Sequence, residues 1–248
     1  RIDELLQTYD KELYKRAIGY LYHKETKSSF AIEGEDDKSS LSRQQRFVQV
    51  LRLAGKEDFL NLDKQIALQN SLVDPRYQNS SLRDHNVYVG QSIAGNEFVH
   101  FIAAHKNDIQ SLFSAFLKTS QDVLADPAVP VLAKAAIISF GFVYLHPFTD
   151  GNGRIHRFLL QHVLKTADVI AQDAILPFSS TILRNPGEYD AALEAYSKIV
   201  MDVVGDYKID VDHQIQFTPT HRALFAYPKL HSQAAYLKRL VTECIEVD

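Results

Sequence analysis

One run of twelve residues, His146-Pro147-Phe148-Thr149-Asp150-Gly151-Asn152-Gly153-Arg154-Ile155-His156-Arg157, holds most of the chemistry this chain can offer. Gly151 and Gly153 let the backbone bend sharply and approach a ligand closely. A helix starting there points its unpaired N–H groups and the positive end of its dipole into the loop, which makes an anion site. Arg154 and Arg157 are three apart and project from one side of that helix near its start. Two guanidinium groups beside such a nest suit a polyphosphate better than a lone carboxylate. Asp150 adds a hard oxygen ligand of the kind Mg²⁺ uses together with substrate phosphates. His146, at the loop entrance, has an ordinary pKa of about 6.5 and can serve as a general base. Each feature alone is better explained by a helix cap and surface arginines. Their concentration favours a nucleotide site. Gly151-x-Gly153 is not a dinucleotide fingerprint, because His156 stands where the third glycine belongs, and the Gly-Lys-Ser/Thr end of a P-loop is missing.

The elements that must position this loop are mostly helices. Leu5, Tyr9, Leu13, Tyr14, Ala17 and Leu21 share one helical face, in a helix that can end near Gly34. Further helices are expected over 41–53, 60–72, 107–119, 131–145, 154–166, 188–203 and 232–244. The stretch 131–145 is apolar nearly all round and belongs in the middle of the domain. Residues 86–89 and 98–102 alternate as strands around a turn-rich 90–97 segment with Gly95-Asn96, predicting one β-hairpin. The fold class is mainly α with that single hairpin. The expected organisation is an N-terminal helical region over 1–78 and a core with C-terminal helices over 79–248, together one compact unit.

Composition excludes several classes. The chain has 248 residues, 46% hydrophobic and 23% charged, enough to bury roughly 70–75% of its unfolded surface without staples. Its 27 basic and 31 acidic residues give a net charge of −4, unlike a nucleic-acid coat or a polybasic membrane anchor. Cys244 is the single cysteine, so there is no internal disulfide framework. No apolar run approaches the roughly 20 residues of a membrane span, and no signal-peptide pattern follows Arg1. The expectation is a cytoplasmic protein, or a trimmed piece of one, with no membrane partner. Cys244 reads as an apolar filler. His156 and His162 are six apart, not the four that pairs zinc ligands, and His100, His105, His213, His221 and His231 read as surface or loop residues.

Residues 146–157 resemble the signature of the Fic family, H-x-F-x-(D/E)-G-N-G-R-x-x-R, at every specified position. The resemblance implies a compact helical core, Fic-type, with the loop between two central helices and a hairpin flap. It implies a protein adenylyltransferase that moves AMP from ATP, with Mg²⁺, to a hydroxyl side chain of a target protein. His146 would deprotonate that hydroxyl, Phe148 would anchor the loop and Asp150 would hold Mg²⁺. Gly151, Asn152 and Gly153 would cradle the α- and β-phosphates, and Arg154 and Arg157 would bind the phosphates further out. Gly-Arg after Asn152, where the phosphate-transferring Doc branch has lysine, favours AMP transfer. Val87, Tyr88, Val89 and Gly90 resemble the flap that docks the target by strand pairing. Asn185 and Tyr189 are candidates for base or ribose contacts, or equally a helix cap and a core tyrosine.

Ser29-x-x-x-Glu33-Gly34 matches the family's inhibitory motif, (S/T)-x-x-x-E-(G/N). By that resemblance Glu33 would pair with Arg157 and displace the γ-phosphate. Glu35, Asp36 and Asp37 read as a solvated acidic loop. AMP removal, self-modification and a homodimer are compatible with the resemblance. Two other readings stay open: a nucleotide-sensing module of a longer DNA-binding protein, with a winged helix beyond residue 248, and transfer of another phosphate-containing group.

Overall fold

The computed structural model describes residues 11–35, 38–93, 96–218 and 221–247. Leu5, Tyr9, Asp36, Asp37 and Gly95, each used in the sequence argument, lie outside them. The apolar stretch 131–145 is the central helix, α5. It begins as Val131–Ala135, passes through a π-helical turn at Ala136–Phe140 and ends as Gly141–Leu145. Ile138, Phe140 and Phe142 are fully buried along it. Its partner is α6 (Asn152–Thr166), on which every residue from Arg154 to Lys165 is buried. A helix buried all round carries polar groups that need internal partners. His156 finds one: its Nδ1 donates to the Ser139 carbonyl in the π turn at 2.8 Å. The unpartnered Nε2 beside it stays neutral, because burial pushes the imidazole down to about 3.

The other helices pack around this pair. Helix α1 (Lys11–Ile32) ends where predicted, with Gly34 at φ +70° closing it. Helices α2 (Leu41–Leu51) and α3 (Leu62–Leu72) follow, the latter capped by the Asn61 side chain on the Lys64 N–H. Strands β1 (Tyr88–Ile93) and β2 (Asn96–Ile102) precede α4 (Lys106–Ala125). Beyond α6 come α7 (Phe178–Arg184), α8 (Pro186–Val204), β3 (Tyr207–Ile209), β4 (Ile215–Phe217), α9 (Arg222–Ala226) and α10 (His231–Val247). One hydrophobic cluster runs from Tyr22 and Phe30 of α1 through α5 and α6 to Leu240 of α10. Residues on both sides of position 78 contribute to it.

Four expectations need correction. The hairpin has longer strands: residues 90–93 pair with 96–99, so most of the turn-rich segment is strand. Tyr88 faces Ile102 and Val89 faces Phe101, and the register then slips so that Gly90 faces Val99. A second antiparallel pair, β3 with β4, accompanies the expected hairpin. Its strands are three residues each, too short for alternation to show. Helix α7 was not expected, since Ser179, Ser180 and Thr181 are weak helix formers. His105 and His221 are not surface residues: His105 caps α4 through its ring nitrogen, and His221 is 2% exposed.

Candidate active site

The loop between α5 and α6 is built from the inside out. Phe148 is fully buried, and the Asn152 side chain clamps it by accepting from the Phe148 N–H at 3.1 Å and donating to its carbonyl at 2.8 Å. The Asn152 amide therefore holds the loop rather than facing a ligand; only its backbone N–H is left for one. Gly151 has φ +88°, and a Cβ there would lie 2.9 Å from Val73 Cγ1, so only glycine makes this turn. Helix α6 starts with no side-chain cap, which leaves its first N–H groups open to an anion.

An anion is already there, and it belongs to the chain. A Cβ on Gly153 would sit 2.4 Å from Glu33 Oε1, so the Glu33 carboxylate lies directly over the start of α6. Arg157, 1% exposed, donates to Glu33 Oε1 at 2.7 Å, to the Ser29 hydroxyl at 3.0 Å and to the Ser29 carbonyl at 2.9 Å. Burial pushes the Glu33 carboxyl up, but Arg157, with Arg154 and His146 adding, holds it below the usual carboxylate range. The structure thus brings Ser29, Glu33, Gly153 and Arg157 together.

Arg154 faces another way. Its two terminal nitrogens grip both oxygens of Glu35 at 3.1 Å, and one also reaches both oxygens of Asp150 at 3.1 and 3.2 Å. The Leu72 carbonyl and the face of Phe30 complete its surroundings. Glu35, expected in a solvated loop, instead bridges Arg154 to Arg43. Sequence missed this because Arg43 and Arg154 lie on different helices.

His146 ends α5 with left-handed backbone angles, φ 51° and ψ 60°. Its Nδ1 meets the Val143 carbonyl at 3.2 Å. A carbonyl only accepts, so Nδ1 carries the hydrogen and Nε2 keeps the basic lone pair. Burial pushes the imidazole down and Arg83 adds to this, against the Val143 carbonyl, Glu33 and Asp150, leaving it at about 4. His146 is neutral at physiological pH.

A cavity of about 570 Å³ opens over these groups, within the range of small-ligand sites. His146, Gly153, Arg157, Glu33, Tyr189 and Val89 of the hairpin are among the residues that line it. Tyr189 is 7% exposed, its hydroxyl pushed up to about 12 by burial. Asn185 is not part of the lining; it is exposed and its amide donates to Glu188 at 3.0 Å, as a helix-start residue does. Val87 packs against the core, its carbonyl accepting from the Ala103 N–H, and the Tyr88 hydroxyl reaches Glu97. Gly90 lies so close to the Phe98 carbonyl that a Cβ would be 2.3 Å from it. Strand β1 pairs only with β2 among the described residues, which leaves its outer edge free beside the cavity.

Residues 59–164 match the model of the Fic/DOC family. Over that span the chain carries a Fic/DOC domain. A curated relative, a protein adenylyltransferase Fic from Culex quinquefasciatus, is 30% identical over 118 residues, which is 46% of this chain and 21% of the relative. The chain thus spans about a fifth of that protein. Two solved structures share the fold. A Fic-domain-containing signaling protein from Bacteroides thetaiotaomicron superposes with a TM-score of 0.67 at 16% identity, over 98% of this chain and 92% of that one. A Fic family protein from Desulfovibrio desulfuricans gives 0.55 at 17% identity, over 100% and 74%. No described helix is long and apolar enough to cross a membrane.

Three residues bond between elements that surround the loop without having been predicted. Arg83 donates to the His146 carbonyl at 2.7 Å. Glu25 is 1% exposed and accepts from the Ser179 N–H and hydroxyl, each at 2.7 Å, tying α1 to α7. Lys165 donates to the Tyr22 hydroxyl at 3.0 Å. Glu25 lies four residues before Ser29 and eight before Glu33, so the shared helical face was the available signal. Burial pushes its carboxyl up to about 7, against Ser179 and Arg157. Docked α1 therefore binds the Glu25 proton more tightly than released α1. Its docking is strongest below about pH 4.5 and weakens as pH rises through about 7. Lys165 is pushed down to about 8 by burial and acts in the opposite sense at higher pH. Hydrogen exchange of α1 amides, corrected for intrinsic rates, should quicken between pH 5 and 7.5, and Glu25→Gln should remove most of that rise.

Proposed function

We propose that this Fic domain transfers AMP from ATP to a hydroxyl side chain of a target protein and that Glu33 restrains it. One observation supports this above the rest: a neutral His146, its Nε2 free, shares one cavity with the uncapped start of α6 and Arg157. A nucleotide-binding surface without chemistry has no use for a base so placed.

The reaction these groups would run is an in-line displacement. The target hydroxyl gives its proton to His146 Nε2, and its oxygen forms a bond to the α-phosphorus. The bond from that phosphorus to the α,β-bridging oxygen breaks, and pyrophosphate leaves. The N–H groups of α6 and Arg157 hold the displaced phosphates and meet their charge. The free edge of β1 pairs with an extended target segment and brings its hydroxyl to His146. Tyr189 offers an apolar wall for the nucleoside.

Mg²⁺ fits the donor set here as a substrate-borne ion. No group of three or more metal-binding side chains occurs among the described residues, so a protein-only cage is lacking. The Asp150 carboxylate, 28% exposed, would hold the ion together with ATP phosphates, where it would neutralise charge on them. In the present arrangement Asp150 and Arg154 occupy each other, and Glu33 occupies Arg157.

Intact-protein mass spectrometry after incubation with ATP and Mg²⁺ tests the reading. It compares the unaltered chain, Glu33→Gly, and Glu33→Gly with His146→Ala. AMP added to Glu33→Gly alone is the expected result. An added phosphate would reassign the site to phosphate transfer, and ATP binding without any addition or turnover would favour a nucleotide-sensing module.

A further inference from the structure

The base of this site stands in an awkward conformation. His146 is not glycine, yet its φ is 51°, and it precedes Pro147, which disfavours helical angles in the residue before it. Such a backbone persists only where its surroundings hold it. Within α5 the His146 N–H bonds the Phe142 carbonyl and its ring the Val143 carbonyl; from outside that helix one side chain grips the His146 carbonyl. Arg83, 3% exposed, donates through Nε to the His146 carbonyl at 2.7 Å and through one terminal nitrogen to the Leu145 carbonyl at 3.4 Å. Its backbone N–H donates to the Pro147 carbonyl at 3.0 Å. The same guanidinium also reaches the carbonyls of His85 and Ala104, one just before β1 and one just after β2. Arg83 forms no ion pair among the described residues. All four acceptors of its side chain are backbone carbonyls.

We propose that Arg83 is the positioning residue for His146, fixing the backbone from which the imidazole reaches the cavity and tying it to both roots of the hairpin flap. This rests on reading His146 as the base. Arg83 itself touches no substrate; it does not line the cavity. Five donors in a planar fork allow one side chain to hold three carbonyl-bearing segments at once, which lysine cannot do. A target strand seated on β1 and the imidazole that deprotonates its hydroxyl are then referred to one rigid group, and small errors in such placement are costly to rate.

The test uses the full 248-residue chain with Arg83→Lys and Arg83→Met, each alone and with Glu33→Gly. The ¹³Cα and ¹³Cβ shifts of His146 report its left-handed backbone, and its ring ¹⁵N shifts report the Nδ1-protonated tautomer. Both should change in Arg83→Met and in Arg83→Lys. In the Glu33→Gly background, Arg83→Lys should lower kcat for AMP transfer at least tenfold, while the affinity for a non-hydrolysable α,β-methylene ATP analogue stays within twofold. Should Arg83→Met not fold, Arg83→Lys decides alone. Unchanged His146 shifts in Arg83→Lys, or a kcat within threefold of the parent, would overturn the proposal. If the Glu33→Gly parent transfers nothing, the reading of the reaction fails, and the His146 shifts still decide whether Arg83 holds this backbone.

Discussion

Glu33→Gly should raise AMP transfer by about two orders of magnitude. The expectation follows from what the carboxylate occupies. It sits over Gly153 at the start of α6 and pairs with Arg157 at 2.7 Å, where the proposed reaction would place an outer phosphate. A phosphate cannot share that space, and a negative carboxylate would repel it. One preorganised donor to developing charge is worth about 10²–10³ in rate, so restoring Arg157 to the phosphates should return a gain of that order. Arg157 keeps its Ser29 contacts in the variant, which limits the structural cost. The Glu33 side chain is 27% exposed, so solvent screening keeps the stability loss modest, with a fall in Tm of about 2–6 °C. Mass spectrometry for transfer and calorimetry with the α,β-methylene analogue separate the two effects. Analogue binding with equal or lower transfer in Glu33→Gly would show Glu33 to be structural.

In the Glu33→Gly background, His146→Ala should lower transfer by about 10²–10⁴, the range for loss of a general base, and leave analogue affinity within about threefold. The basis is the division of labour in the cavity. Arg157 and the N–H groups of α6 face the Glu33 carboxylate, whereas the His146 imidazole bonds the Val143 carbonyl through Nδ1, which leaves Nε2 for the cavity it lines. Because the imidazole is pushed down to about 4, it is already unprotonated across pH 6–8. Its ring resonances in the nucleotide-free chain should therefore not titrate over that interval. Transfer retained within threefold in His146→Ala would remove the base from the mechanism. A midpoint near 6.5 in the nucleotide-free titration would show that burial and Arg83 do not set its protonation.

The anion loop could be read from the chain because its demands are local. Gly151 must take a positive φ, Asp150 and Asn152 flank it, and Arg157 is one helical turn beyond Arg154, so spacing alone puts them at one helix start. The apolar run 131–145 likewise announces a buried helix before any partner is known. Ser29 and Glu33 were legible through the motif resemblance, Glu33 lying just past the end of α1.

Tertiary packing decided the rest, since ion pairs form between segments whose separation in sequence carries no information about their separation in space. Arg154 looked like a second phosphate ligand beside Arg157, yet a helical step of three residues also turns the side chain, and it meets Glu35, Asp150 and Leu72 instead. Glu35 looked solvated until Arg43 and Arg154 approached it from two helices. Glu25 meets Ser179 across 154 positions, and Arg83 reaches His146 across 63. Sequence alone determined which side chains gather at one turn, because residue types and helical periodicity suffice to place a histidine, a glycine-rich helix start and a carboxylate there. Only the tertiary structure decided which charges pair and what holds the base, because burial makes every polar group find a partner wherever the packing brings one.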